Sequence, residues 1–420
     1  MLDLRLLRAD TERVRTDLTR RGVGDELDRV LDLDRTAREV RTRVEEVRAE
    51  RGRISKTVGV AKREGRNADA EQEQARALGD ALAADEAELR ELEAERDAVL
   101  LGLPNLAEPA APDGGEDDAI TLRVVGTQPV FDFAPRDHLE IGQLLGGIDT
   151  EQAAKISGAR FAYLMGPLVR LQLALVGFAV DLLEAHGFTP VVPPVLVREE
   201  AMFGTGFFPT DRASIYALAD DDLYLVGTSE VPLAGLGYER ILEAGELPLR
   251  YAGISTCFRR EAGAAGRDTR GIFRVHQFDK IEMFTFTNPD SSAAEHLRIL
   301  AVQEEILGAL GLHYRVQDIP VGDLGASAAR KFDCEAWMPG QGRFREVTSC
   351  SNCTDYQARR LNCRTRAEGG MQFVHTLNGT AVAVGRTMIA ILETHQRADG
   401  SVAVPEVLQR FGAPAELLLA

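Results

Sequence analysis

Two stretches near the N-terminus carry apolar residues at alternating steps of three and four. The first runs Val30, Leu33, Ala37, Val40, Val44, Val47, Arg51, Ile54, Val58, Ala61. The second runs Ala75, Leu78, Leu82, Asp85, Leu89, Leu92, Arg96, Val99. This spacing is the heptad seam of a coiled coil. Between the two seams, Glu64-Gly65-Arg66-Asn67 supplies a reversal, and no proline occurs from Met1 to Leu103. The pattern predicts a helical domain over 1–103 built on an antiparallel coiled-coil hairpin. Its first arm would reach about 50 Å at ~1.5 Å per residue. Asp85 and the two seam arginines should weaken the packing locally. Pro104 ends the helical text, and the run Glu108 to Asp118, rich in proline, glycine and acid, reads as a linker over 104–120.

Beyond the linker the period changes. Residues 167–187 read as a helix ending at Gly187, and 291–311 and Arg386–Thr394 read as further helices. Residues 188–197 are β-branched and punctuated by prolines, which places a strand there at a boundary, such as that between subunits. Leu223–Val226, Tyr251–Phe258, Lys280–Phe286 and Val382–Val384 have strand-like text. The expected fold class of 121–420 is α+β, an antiparallel β-sheet core flanked by helices.

Charge narrows the partners. The chain of 420 residues has a net charge of −17, which excludes a uniformly basic nucleic-acid coat. Residues 41–66 nevertheless hold nine Lys or Arg against four Glu, a net of +5, whereas 67–98 hold eleven acids against three arginines, a net of −8. A polyanion contact is therefore confined to the first arm, with Arg48, Arg51, Arg53, Lys56, Lys62 and Arg63 as its candidates. No apolar run reaches the ~18–20 residues that span a bilayer, so no membrane partner is expected. Five cysteines, an odd and sparse set, favour a reducing, cytoplasmic setting.

Four clusters place charge inside otherwise apolar, strand-like text. They are Gly227-Thr228-Ser229-Glu230; Cys257 to Glu261 with the runs Gly266 to Gly271 and Arg274 to Glu282; Arg345 to Asn352; and Asn378-Gly379-Thr380 followed by Gly385-Arg386. Side chains on a strand repeat every two residues, so Arg259 and Glu261 share a face. An arginine offers a planar fork to phosphate or carboxylate, and a nearby glutamate could accept from an exocyclic amine. No GxxxxGK[ST] and no strand-preceded GxGxxG occurs, so a nucleotide would be held by another device.

Taken together these motifs resemble the seryl-tRNA synthetases, a class II aminoacyl-tRNA synthetase family. Phe258-Arg259-Arg260-Glu261 looks like motif 2, Gly187 to Val197 like the dimer strand of motif 1, and Gly379 to Arg386 like motif 3. The hairpin, Thr228-Ser229-Glu230, Arg274 to Glu282 and Ser349 to Cys353 are the serine-specific features. The resemblance implies activation of L-serine by ATP to seryl-adenylate, transfer to tRNA(Ser), and a homodimer. It implies Arg259, Glu346 and Arg386 as catalytic residues. ATP would be held by Arg259, Arg260, Glu261, Val275, Phe278, Glu346, Val347, Thr348, Ser349 and Arg386. Serine would be held by Thr228, Ser229, Glu230, Arg259, Glu282, Asn378 and Thr380. Glu346 and Ser349 would hold a Mg²⁺ ion, and the basic flank of the hairpin would hold tRNA.

Other readings of single residues remain. Glu282 could simply pair with Lys280 or Arg260, and His276 is expected to be structural rather than a general base. Cys350-x-x-Cys353 invites zinc, but the spacing after Cys353 is irregular and argues against it. Ala381 and Ala383 stand where the family often has glycine, which would add methyl groups near ATP. Such changes fit an ordinary lineage variant, or a duplicate enzyme with a specialised role or tolerance of a serine-mimicking inhibitor. A carrier-protein ligase is a rival, although it should lack the hairpin.

Overall fold

The computed structural model describes residues 1–262, 266, 268–367 and 369–420. Arg267, within the second charged cluster, lies outside the described residues. The described residues divide into two compact units, Leu2–Pro104 and Asn105–Ala420 together with Met1.

The first unit is built on helices Glu26–Arg63 and Asp69–Gly102. Gly65 at φ +69° makes the reversal, and the Asn67 side chain accepts from the Asp69 backbone N–H at 2.8 Å. Ion pairs Arg29–Glu95, Arg43–Glu88 and Arg48–Glu86 rise in number on one arm and fall on the other, which is the antiparallel register. Val40, Val44 and Leu82 form the buried seam, with Val47, Leu89 and Leu92 packed on it. The seam departs from the expected pattern at one turn. Asp34 rather than Leu33 is buried, its carboxylate ringed by Arg8 at 3.5 Å, Arg38 at 3.1 Å and Arg96 at 3.8 Å. Asp85 is likewise paired, to Arg43 at 2.9 Å, so two of the seam's charges are compensated.

In the second unit, among the described residues, eight strands form the main sheet: β1 (Ile120–Val125), β2 (Thr189–Val191), β3 (Leu249–Phe258), β4 (Gln277–Thr287), β5 (Tyr314–Asp318), β6 (Arg330–Met338), β7 (Arg343–Asn352) and β8 (His375–Ala383). Their spatial order is β1-β5-β6-β7-β8-β4-β3-β2, antiparallel throughout except for the parallel pair β2–β3. Helices Pro167–Ala185, Ser292–Ala309 and Val384–Thr394 supply Leu171, Phe178, Ile299, Ile306, Met388 and Ile391 to one core with inward residues of the sheet. The single strand expected over 188–197 is two. Thr189–Val191 joins the main sheet, and Leu196–Arg198 pairs with Leu223–Leu225 in another. Pro193 and Pro194 cannot donate to a ladder and separate them. The strand expected at Val382–Val384 is longer, running His375–Ala383, and Val384 opens a helix rather than closing that strand.

The stretch expected as a linker is held by the second unit at its proximal end. The Asn105 amide donates to the carbonyls of Ser327 at 2.9 Å and Cys353 at 2.8 Å, and Ala107 and Ala111 pack with Ile319 and Val321.

Candidate active site

Strand alternation sorts the central strands into two faces. On β4, Ile281 and Met283 enter the core, while Phe278, Lys280 and Glu282 face a cleft. On β8, Asn378 and Thr380 face the same cleft, whereas a Cβ at Gly379 would lie 2.4 Å from Ile299 Cγ2 on the core side. On β7 the register against β6 slips between Cys334 and Glu335, leaving Val347 as an extra residue. That bulge shifts the alternation so that Glu346 and Ser349, three apart, both face the cleft, while Val347, packed in the core, and Thr348, bonded to Gln303, only border it. The cleft together with its solvent-open mouth spans about 860 Å³ not filled by atoms.

Four other segments, with Phe207 besides, complete the lining. Thr228 and Glu230 come from the start of a short helix, Arg259 and Glu261 follow β3, Ile272 to Val275 precede β4, and Gly385 and Arg386 open the last helix of the core. Arg259 is pinned on several sides. Its Nε donates to the Gly227 carbonyl at 3.1 Å, its guanidinium carbon lies 5.3 Å from the Phe278 ring centre, and its backbone N–H donates to the His276 carbonyl at 2.9 Å. His276 in turn meets the Arg259 carbonyl through Nδ1 at 2.8 Å, as expected of a structural histidine.

One end of the cleft is a small, polar, mostly buried pocket. Glu230 Oε1 accepts from Gln357 at 2.7 Å and from Asn378 at 3.0 Å. Lys280 donates to Thr228 Oγ1 at 2.7 Å and pairs with Glu282, and Thr380 donates to Glu282 at 3.2 Å. Glu282 is thus both an ion-pair partner of Lys280 and part of the cleft wall. Burial first, and the nearby Glu282 second, push the Glu230 carboxyl up to about 7. Gln357, Lys280 and Arg259 oppose that rise.

The other end is cationic. Arg274 donates to Glu261 at 2.6 Å, and Arg386 donates to the Glu346 carbonyl at 3.0 Å and pairs with its carboxylate at 3.2 Å. Phe273 receives the Arg345 guanidinium at 3.8 Å and that of Arg386 at 4.7 Å, while Arg345 is tied to Asp268 by bonds of 2.9 and 2.6 Å. Burial works to raise the Glu346 carboxyl, but Arg386, Lys331 and Arg259 outweigh it and bring it down to about 2. Burial drives Asp333 the other way, up to about 7, with Lys331 opposing and Glu346 adding to the rise. Among the described residues, no three His, Cys, Asp or Glu side chains gather as a complete metal cage.

Of the residues expected at the site, Thr228, Glu230, Arg259, Glu261, Val275, Phe278, Glu282, Glu346, Val347, Thr348, Ser349, Asn378, Thr380 and Arg386 converge on the cleft. Two do not. Ser229 is wholly buried, its hydroxyl turned to the Gly253 carbonyl at 3.5 Å. Arg260 is exposed, and its backbone N–H is tied to the Ser214 carbonyl at 2.9 Å. Neither lies on a strand: Ser229 has helical backbone at the N-cap of the short helix, and Arg260 follows the end of β3, next to Glu261 at φ +52°. Ala383 puts its methyl in the cleft, whereas Ala381 packs in the core. The sequence pattern does not mark Phe207, Phe273, Arg274 and Lys280 as site residues, although Arg274 and Lys280 lie within one of its charged runs.

On the first arm, Arg48 is paired to Glu86 at 2.7 Å, and Arg53 to Glu50 at 2.9 Å through Nε. Arg51, Lys56, Lys62 and Arg63 are exposed.

Comparison with known proteins gives these features a name. Residues 1–107 match the model of the seryl-tRNA synthetase N-terminal domain, and 216–395 match that of the class II tRNA synthetase core domain (G, H, P, S and T). A serine–tRNA ligase of Thermobifida fusca is 52% identical, with 98% of this chain and 97% of the relative aligned. The chain belongs to the seryl-tRNA synthetase family. The serine–tRNA ligase of Streptomyces coelicolor is 50% identical over 100% of this chain and 99% of its own. The seryl-tRNA synthetase of Pyrococcus horikoshii, solved with ATP, superimposes with a TM-score of 0.95 at 41% identity over 100% of both chains. That of Naegleria fowleri, solved with AMP, gives 0.91 at 33% identity over 100% of this chain and 99% of the other. The synthetase activates L-serine with ATP and transfers it to tRNA(Ser). The carrier-ligase and duplicate-enzyme readings are not favoured. Among the described residues, no helix is long and apolar enough to cross a membrane.

Proposed function

We propose that the two ends of the cleft divide the chemistry of seryl-adenylate formation between them. Both reactants are anions, so their approach costs repulsion. Arg259, at the junction of the two ends, would bridge the serine carboxylate and the α-phosphate, offsetting that repulsion and holding the attacking oxygen on phosphorus. The carboxylate oxygen bonds to the α-phosphorus, and the bond to pyrophosphate breaks. Arg386 would hold the far phosphate. Phe278 would stack on adenine, and Glu261 would accept from its amine.

Glu230, Glu282, Thr228 and Thr380 would receive the serine ammonium and hydroxyl. A pocket built to bond a hydroxyl rejects alanine because buried partners would be left unpaired. Glu346 and Ser349 would hold Mg²⁺. Their oxygens suit a hard cation that keeps most of its waters, and a buried Asp333 oxygen without a partner lies on the neighbouring strand. Bound there, the ion would neutralise charge developing on the phosphates. In the second step a terminal tRNA hydroxyl attacks the adenylate carbonyl, the ester to serine forms as the carbonyl–phosphate bond breaks and AMP leaves with the phosphate oxygen, and the unit 2–104, as a tRNA-binding domain, would hold the tRNA through its basic flank. We further propose a cytoplasmic homodimer joined near the edge strand β2, where Val192 is 82% exposed.

The observation that carries this reading is the convergence of Arg259, Arg274 and Arg386 with Glu346 on one cleft. Serine-dependent ATP–pyrophosphate exchange followed by tRNA charging tests it. Arg259→Ala should lose exchange, by at least the ~100- to 1,000-fold of a removed charge-stabilising donor. Deletion of residues 36–98 should keep exchange and impair charging. Normal charging by the deletion variant would refute the role of the arm, and normal exchange by Arg259→Ala the role of the arginine.

A further inference from the structure

Strand β6 carries a buried ion pair that none of the roles above uses. Lys331 meets Asp333 Oδ2 at 3.0 Å, with the two side chains 19% and 8% exposed. The other carboxylate oxygen, Oδ1, is buried and has no hydrogen-bond partner among the described residues. Asp333 stands directly opposite Ser349 in the β6–β7 register, and Lys331 opposite Ser351. Directly opposed side chains share a face, with Cβ atoms ~4.5–5.5 Å apart. Asp333 is therefore presented to the same face as the Ser349 side chain.

A serine hydroxyl that ligates a cation gives a lone pair to the ion and must direct its proton elsewhere. Solvent is a poor recipient beneath a bound triphosphate. A buried carboxylate oxygen with nothing else to accept is a fitting one. We propose that Asp333, anchored by Lys331, is a positioning residue that accepts the Ser349 hydroxyl proton in a hydrogen bond and so aims the serine lone pair at the metal. The inference rests on the reading of Glu346 and Ser349 as Mg²⁺ ligands. Outer partners of this kind tune affinity because they fix the orientation of the ligand.

The test is binding of Mn²⁺, a spectroscopic stand-in for Mg²⁺, to the full chain with a non-hydrolysable ATP analogue, read as free Mn²⁺ by electron paramagnetic resonance. Glu346→Gln and Ser349→Ala should each weaken binding. Asp333→Asn should weaken it ~10- to 100-fold. The double variant Ser349→Ala/Asp333→Asn should bind no more weakly than Ser349→Ala alone, because Asp333 acts through the hydroxyl. Should Asp333→Asn fail to fold, Lys331→Gln loosens the carboxylate and carries the same test: a loss that disappears in the Ser349→Ala background.

Mn²⁺ affinity unchanged by Asp333→Asn, or losses that multiply in the double variant, would overturn the inference and leave the metal ligands standing. In the Lys331 series, an unchanged affinity or multiplying losses would do the same. No effect from either Glu346→Gln or Ser349→Ala would instead remove the metal-site reading itself.

Discussion

Glu230 offers a prediction in which stability and function move in opposite directions. Its carboxyl lies at about 7 in the folded protein against 4.5 for the ordinary group, with burial as the main cause. Between those values the folded chain binds a proton that the unfolded chain has released. Stability therefore falls as pH rises from about 4.5 through 7, and the full contribution is present only below the lower value. At ~1.36 kcal/mol per unit, ionised Glu230 costs about 3 kcal/mol at pH 8 and under about 1 kcal/mol at pH 5.

Glu230→Gln removes the charge and keeps an oxygen for Gln357 and Asn378. It should raise the free energy of unfolding at pH 8 by up to about 3 kcal/mol, with most of that gain gone at pH 5. Urea unfolding at the two pH values measures it. The same variant should lose serine activation while ATP binding stays intact, because on the proposed reading Glu230 would receive the serine ammonium. A gain equal at both pH values, or no gain at either, would refute the argument that the native enzyme holds a desolvated charge there.

Phe278→Ala should raise the KM for ATP about 5- to 150-fold, since a base stacked on an aromatic ring is worth ~1–3 kcal/mol, and leave the KM for serine close to native. Alanine at Arg51, Lys56, Lys62 and Arg63 together should weaken tRNA affinity and lower its slope against log salt by ~0.9 for each phosphate no longer neutralised, with pyrophosphate exchange unchanged. Gly379→Ala would put a Cβ 2.4 Å from Ile299 Cγ2 and 2.9 Å from Cys350 Cβ. Thermal unfolding should show a loss of ~1–3 kcal/mol from overpacking, partly restored by Ile299→Ala.

Local periodicity carried much of this protein. Steps of three and four fix which faces of Glu26–Arg63 and Asp69–Gly102 meet, and Gly65 marks the reversal. Period-two alternation puts Lys280 and Glu282 on one side of their strand and Ile281 on the other. The charged clusters announced nucleotide chemistry because charge inside strand-like text needs a partner. Tertiary structure decided the rest, since partners distant in sequence have no local period. Two of the three arginines that ring Asp34, Arg8 and Arg96, come from other helices far along the chain. The bulge at Val347, which puts Glu346 and Ser349 on one face although they are three apart, arises from pairing with β6 and leaves no mark in the composition of β7. Asp333 reads as one more polar residue on a strand until the register sets it opposite Ser349 and burial strips water from its second oxygen.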